Sequence, residues 1–244
     1  IGNGRTSPKS LASQIHFVAC NFMKHITLII LAFVITAVGY AKCANSGIYC
    51  LSKSSTINKN GLIILEFYAL SQKLISELNK KYPIYLKSPN SQVQLNIIET
   101  LKGEMRVTQI ILKPVSELKV NETYTLFIDN LPKYERNPER YNDSTNKREQ
   151  LTFRIKNHVD NDFPIFNCTP TELKKTLAYF GCGPASSVYF TISGQDKSEL
   201  FVRTTVINKS TGTSTSYILR IESGYVKVGH GMCSGPFHFD KGDN

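Results

Sequence analysis

The chain has no Trp, only 3 Met, and 19 acidic residues against 29 basic ones in 244 positions. It has no glycine-every-third register, sustained heptad or low-complexity tract, which excludes collagen, long coiled coils and polar repeat linkers. Charged residues make up 20% and hydrophobic residues 41% of the chain, so a highly charged disordered polymer is excluded too. Cys-x-x-Cys is missing, and with it the usual spacing of a structural zinc site. There is no phosphate loop, dinucleotide fingerprint, His-Glu-x-x-His or serine-centred elbow. The net charge of +10 is interleaved with acids and contains no Lys/Arg block. Nucleic-acid binding needs a clustered footprint, so nucleic acid is not an expected partner. The basic excess reads as a soluble surface, with attraction to an anionic envelope or polysaccharide as the alternative.

Long hydrophobic runs are also scarce. The one that stands out is Ile26 to Gly39, which follows the basic start Met23-Lys24-His25 and leads into Gly39-Tyr40-Ala41. It falls short of the roughly 20 residues a membrane span needs. A basic start, a short apolar stretch and a small-x-small site predict a signal peptide over 23–41, cut after Ala41. An uncleaved anchor is the lesser reading, and Lys42 before Cys43 argues against a lipoprotein. Residues 1–22 are expected not to belong to the mature protein. The expected location is secreted, periplasmic or cell-surface, with no stable transmembrane span after cleavage.

Five of the 6 cysteines follow the cut: Cys43, Cys50, Cys168, Cys182 and Cys233. An oxidising compartment permits bridges, and an odd number leaves one thiol over or paired beyond the chain. The first expected pair is Cys182–Cys233, whose loop of about 50 residues would stabilise by about 4 kcal/mol. Cys43–Cys50 is the second, as a small local ring. Cys168–Cys182 competes with the first pair.

From Gly61 onward the chain reads in strands. Leu62 to Tyr68, Tyr82 to Lys87, Val93 to Glu99, Val107 to Leu112, Tyr124 to Ile128 and Leu151 to Ile155 carry apolar residues, several in strict alternation, between turn signals. Only Ala69 to Lys81 looks helical, with Leu70, Leu74, Ile75 and Leu78 on one face. Pro132 to Gln150 reads as an exposed hairpin loop and Asp160 to Pro170 as a linker. Beyond it, Glu172 to Phe180 is an edge strand or a helical turn. Val188 to Ile192, Leu200 to Ile207, Thr215 to Ile221 and Tyr225 to Val228 are strands, and Phe237 begins another. Strands at this spacing predict an all-β protein of two tandem β-sandwich domains, 42–160 and 161–244, the second short of strands.

One stretch is similar to a known family. Pro114, Leu118, Tyr124, Thr125, Leu126 and Ile128 follow the order strand, Pro, Leu, polar turn, Tyr-Thr-hydrophobic-x-hydrophobic. Residues 103–155 thereby resemble bacterial Ig-like domains of cell-envelope proteins. The second region resembles Ig-like or fibronectin-type modules more faintly. The resemblance implies modules that space, display or adhere.

Chemistry-bearing residues concentrate in Gly229 to His238. Gly231-x-Cys233-x-Gly235 has elbow spacing but lacks the following helix. His230, Met232, Cys233 and His238 offer ligands suited to copper or zinc. The third reading is structural: glycines for a tight loop, and Cys233 bridged to Cys182. It is the one expected, with no metal and no cofactor. Tyr82, Tyr85, Tyr134 and Tyr141 are candidates for a sugar-stacking platform or, more simply, for strand packing. Asn121, Asn142, Asn167 and Asn208 head glycosylation tripeptides. The expectation is an exported, non-enzymatic structural or binding module whose partner is a cell-surface protein or polysaccharide. The alternative is a metal-binding protein, an enzyme around His230–His238, or a carbohydrate-binding module.

Overall fold

A computed structural model describes residues 46–142, 145–157, 169–181, 183–192 and 199–239. The chain divides into two compact units, Ile1–Lys42 and Cys43–Asn244. The first, with the segments 1–22 and 23–41, lies outside the described residues. So do Cys43, Cys168, Cys182, Asn167 and most of the expected linker. Among the described residues no helix is long and apolar enough to cross a membrane.

The second unit is all-β, as expected. Eight strands form one sheet in the order β1-β3-β6-β5-β4-β7-β10-β2. They are β1 (Gly47–Cys50), β2 (Thr56–Asn58), β3 (Ile63–Tyr68), β4 (Ile84–Lys87), β5 (Gln92–Lys102), β6 (Val107–Pro114), β7 (Thr123–Ile128) and β10 (Thr152–Lys156). The long strand β5 serves two neighbours: its start pairs with β4 and the rest with β6, with a register shift between Ile97 and Glu99. Such a bulge bends a strand, and here the sheet folds over into two layers. The core between them contains Leu65 and Phe67 of β3, Leu95 of β5 and Ile110 of β6 from one layer. Leu86 of β4, Tyr124 and Leu126 of β7 and Phe153 of β10 face them from the other. Tyr124 is fully buried; its hydroxyl accepts from the Lys119 N–H at 3.3 Å and meets Ser91 Oγ at 3.0 Å.

The expected helix is shorter and tighter than its spacing suggested. Ala69–Glu77 is a 3-10 helix. Its three-residue repeat buries Ser71 and Leu74 and leaves Leu70, assigned to the apolar face by α-helical spacing, half exposed. The polar loop after Pro132 holds a small hairpin, β8 (Glu139–Asn142) and β9 (Lys147–Gln150).

Residues 169–239 carry five strands: β11 (Thr171–Phe180), β12 (Gly183–Thr191), β13 (Phe201–Ile207), β14 (Ser214–Arg220) and β15 (Tyr225–His230). β11, β12 and β15 form a three-stranded sheet, and β13 and β14 a hairpin. Phe237 starts no strand; it is fully buried in a second core instead. That core joins Tyr217, Val226 and Val228 to Leu101, Val107 and Ile111, which project from the outer face of β5 and β6. Part of the core of this second region therefore comes from the first sheet. This explains why β6 is buried almost throughout, Lys113 excepted: both of its faces are covered. Gln109 of β6 fastens the junction. Its Nε2 donates to the Ile218 carbonyl at 3.0 Å, and the Ile218 N–H donates to its Oε1 at 3.1 Å. Met105 and Gly235 exchange two backbone bonds of 3.0 Å.

Candidate functional site

Two glycines set the geometry of the 229–238 segment. Gly229 has φ of +145°, and a Cβ there would lie 2.2 Å from the Ser186 carbonyl; a Cβ on Gly235 would lie 2.4 Å from His230 Cα. Only glycine permits both approaches. His230, at the end of β15 and 2% exposed, is thereby pressed against β12. Its Nδ1 lies 2.8 Å from the Gly231 carbonyl and its Nε2 2.8 Å from Ser186 Oγ. A carbonyl only accepts, so Nδ1 carries the proton of the neutral ring and Nε2 accepts from Ser186.

The structure brings His238 to this histidine, ring centres 5.0 Å apart, and the His238 N–H donates to Glu104 Oε2 at 2.6 Å. Among the described residues no three His, Cys, Asp or Glu side chains converge as a metal set. Cys233 lies in the turn closed by Gly231 N–H to the Ser234 carbonyl at 2.9 Å. Its expected partner Cys182 lies outside the described residues. Their chain neighbours do approach, since a Cβ on Gly183 would stand 3.8 Å from the Met232 carbonyl.

The other candidates are corrected or reduced. Cys50 is a free thiol, so the Cys43–Cys50 ring is not formed. It packs against the main core, where burial pushes its pKa up to about 12. Tyr82 and Tyr85 are buried and offer no sugar platform. The Tyr85 hydroxyl donates to Asp129 at 2.9 Å and its ring stacks on Phe127. Tyr134 is exposed, and the Tyr141 side chain lies outside the described residues. Asn121 is exposed at a turn. Asn208 Oδ1 is engaged by the Ser210 and Thr211 N–H groups.

What the sequence did not reveal is a cavity of about 680 Å³ between the three-stranded sheet and the β13–β14 hairpin. Val188, Phe190, Val202, Val206, Val226 and Val228 line it. Cross-strand pairing explains their shared wall: Val188 faces Val228, Phe190 faces Val226, and Ser186 faces His230. The charged lining residues are Glu172, Lys175 and Arg203. Lys175 pairs with Glu172 at 3.6 Å, and Arg203 forms a two-pronged pair with Glu99 of β5. The arginine's hydrogen bonds hold the Glu99 carboxyl below its usual range. Ser186 also lines the cavity, so its hydroxyl is shared between the histidine and the cavity wall. The available signal was the alternation Val202, Thr204, Val206 in a region with too few strands to cover every apolar face.

No family model matches the chain, and no curated protein does. Among solved structures it is similar to pullulanase from Anoxybacillus sp. LM18-11, in a complex with maltotriose. The TM-score is 0.26 and the identity 11%, over 76% of this chain and 22% of that one. It is also similar to pullulanase type I from Bacillus subtilis str. 168, in a complex with maltose. There the TM-score is 0.24 and the identity 11%, over 80% of this chain and 22% of that one. The chain thus spans about a fifth of the length of either enzyme.

Proposed function

We propose that the protein is an exported, non-enzymatic binding module that holds a small apolar ligand between its three-stranded sheet and its hairpin. The observation that carries this reading is the cavity of about 680 Å³. Binding sites for small molecules are concave, mostly apolar and of about 300–1,000 Å³, with a few placed polar groups. The walls here are valine and phenylalanine, and Ser186 supplies such a group. The signal-like segment 23–41 and the approach of the chain neighbours of Cys182 and Cys233 support export and a Cys182–Cys233 bridge. The tie from the Tyr124 hydroxyl to the backbone upstream supports Ig-like descent for residues 103–155, since sandwiches of that type carry such a corner.

The test is a titration with the neutral dye N-phenyl-1-naphthylamine. The expected result is saturable fluorescence enhancement that Val226→Trp, which fills the cavity, abolishes while the circular dichroism spectrum is kept. No enhancement in the wild type overturns the reading. Turnover of 4-nitrophenyl esters that Ser186→Ala abolishes would replace it with a hydrolase built on the Ser186–His230 contact of 2.8 Å.

A further inference from the structure

Resting on that reading of the cavity, we propose that the ligand is a neutral, mostly hydrocarbon molecule bearing a hydroxyl group that donates to Ser186 Oγ. Charge sets the first constraint. Each charged side chain lining the cavity already has a counter-charge: Lys175 has Glu172, and Arg203 has Glu99. A carboxylate, phosphate or ammonium entering between these apolar walls would lose its hydration without gaining an unpaired partner. A neutral ligand avoids that cost.

Hydrogen-bond direction sets the second constraint. In the neutral form of the His230 ring, the Gly231 carbonyl 2.8 Å from Nδ1 places the proton on that side. Nε2 is then an acceptor, and the single hydroxyl proton of Ser186 is spent on it across 2.8 Å. Ser186 Oγ therefore has only lone pairs to offer the cavity. A ketone, ester or ether brings lone pairs as well and gains nothing there, whereas an alcohol brings the missing proton. The histidine is held in this arrangement: it is 2% exposed, and the Gly235 backbone abuts its Cα. Thr176, another hydroxyl of the lining, already donates to the Ser187 carbonyl at 3.4 Å.

The experiment is displacement of N-phenyl-1-naphthylamine from the full chain by 1-dodecanol, 2-dodecanone and dodecanoate, matched in chain length. Dodecanol is expected to displace at a concentration about fivefold below that of the ketone, the factor one neutral hydrogen bond supplies. Dodecanoate should be the weakest of the three. Ser186→Ala should bring the alcohol to the level of the ketone, read as the ratio of their displacing concentrations within the variant, so that any change in its dye affinity cancels. Equal displacement by alcohol and ketone in the wild type overturns the proposal without needing any variant. So does an alcohol preference that survives Ser186→Ala, or tightest binding by the carboxylate. Failure of the dye to bind is a separate result, which removes the cavity reading itself.

Discussion

Glu66 places an acid between two apolar layers. It lies on the outer face of β3, beneath the hairpin, and accepts from the Tyr68 hydroxyl at 3.1 Å. Burial pushes its pKa above the ordinary 4.5, and the nearby tyrosine hydroxyls and the Arg220 charge offset only part of that. A carboxyl whose pKa rises on folding holds its proton more tightly in the native state. Its contribution to stability is complete below the ordinary value and is lost as pH climbs through the raised one. Glu66→Gln is therefore expected to raise the urea midpoint at pH 7, with the gain shrinking as pH falls toward 4.5. A lower midpoint at pH 7 would mean that the Tyr68 contact outweighs desolvation. Glu199 is the converse case. Burial raises its pKa, but hydrogen bonds from Ser52, from the Lys53 and Ser54 N–H groups and from Arg220 outweigh this and hold it below the usual range. Its stabilisation is present at neutral pH and fades as pH falls through that lowered value.

At the scale of the element, Gln109 decides whether β14 stays on β6. Gln109→Ala removes both of its bonds to Ile218 and leaves a backbone N–H and carbonyl unpaired in a covered layer. The expected cost is about 2 kcal/mol or more. Amide exchange should quicken along Ser214–Arg220 and stay unchanged in β7; uniform quickening would contradict a local fastening. Strands with one wet face were legible in the sequence. Thr123–Ile128 alternates because only one side meets the core. β1 and β2 were not legible, being too short to show a period. The helix was located, but its pitch was misread, because which of Leu70 and Ser71 turns inward depends on the sheet beneath. His230 was noticed for its neighbours in sequence, yet its working partner Ser186 lies 44 residues away and only strand pairing connects them.

For the whole molecule, the second core makes residues 161–244 dependent on 42–160. Expressed alone, 161–244 lacks Leu101, Val107 and Ile111 and is expected to show no cooperative thermal transition. The fragment 42–160 keeps its own core and should melt cooperatively, while the uncovered outer face of β5 and β6 binds a hydrophobic dye. A sharp melt from 161–244 by itself would disprove the shared core. The sharing was not legible in the sequence, since a buried outer face and a wet one differ by only a few side chains, such as Val107 and Ile111.

β11 carries a liability of its own. All 10 of its residues are exposed, with Leu173, Leu177, Tyr179 and Phe180 among them, and among the described residues only its β12 flank is paired. An open strand of that length is a template for fibril growth. Lys174 and Lys175 sit near its middle, where an identical strand laid parallel and in register would set ammonium groups against ammonium groups. They act as gatekeepers, and acetylating them would remove the repulsion that keeps neighbouring molecules from stacking.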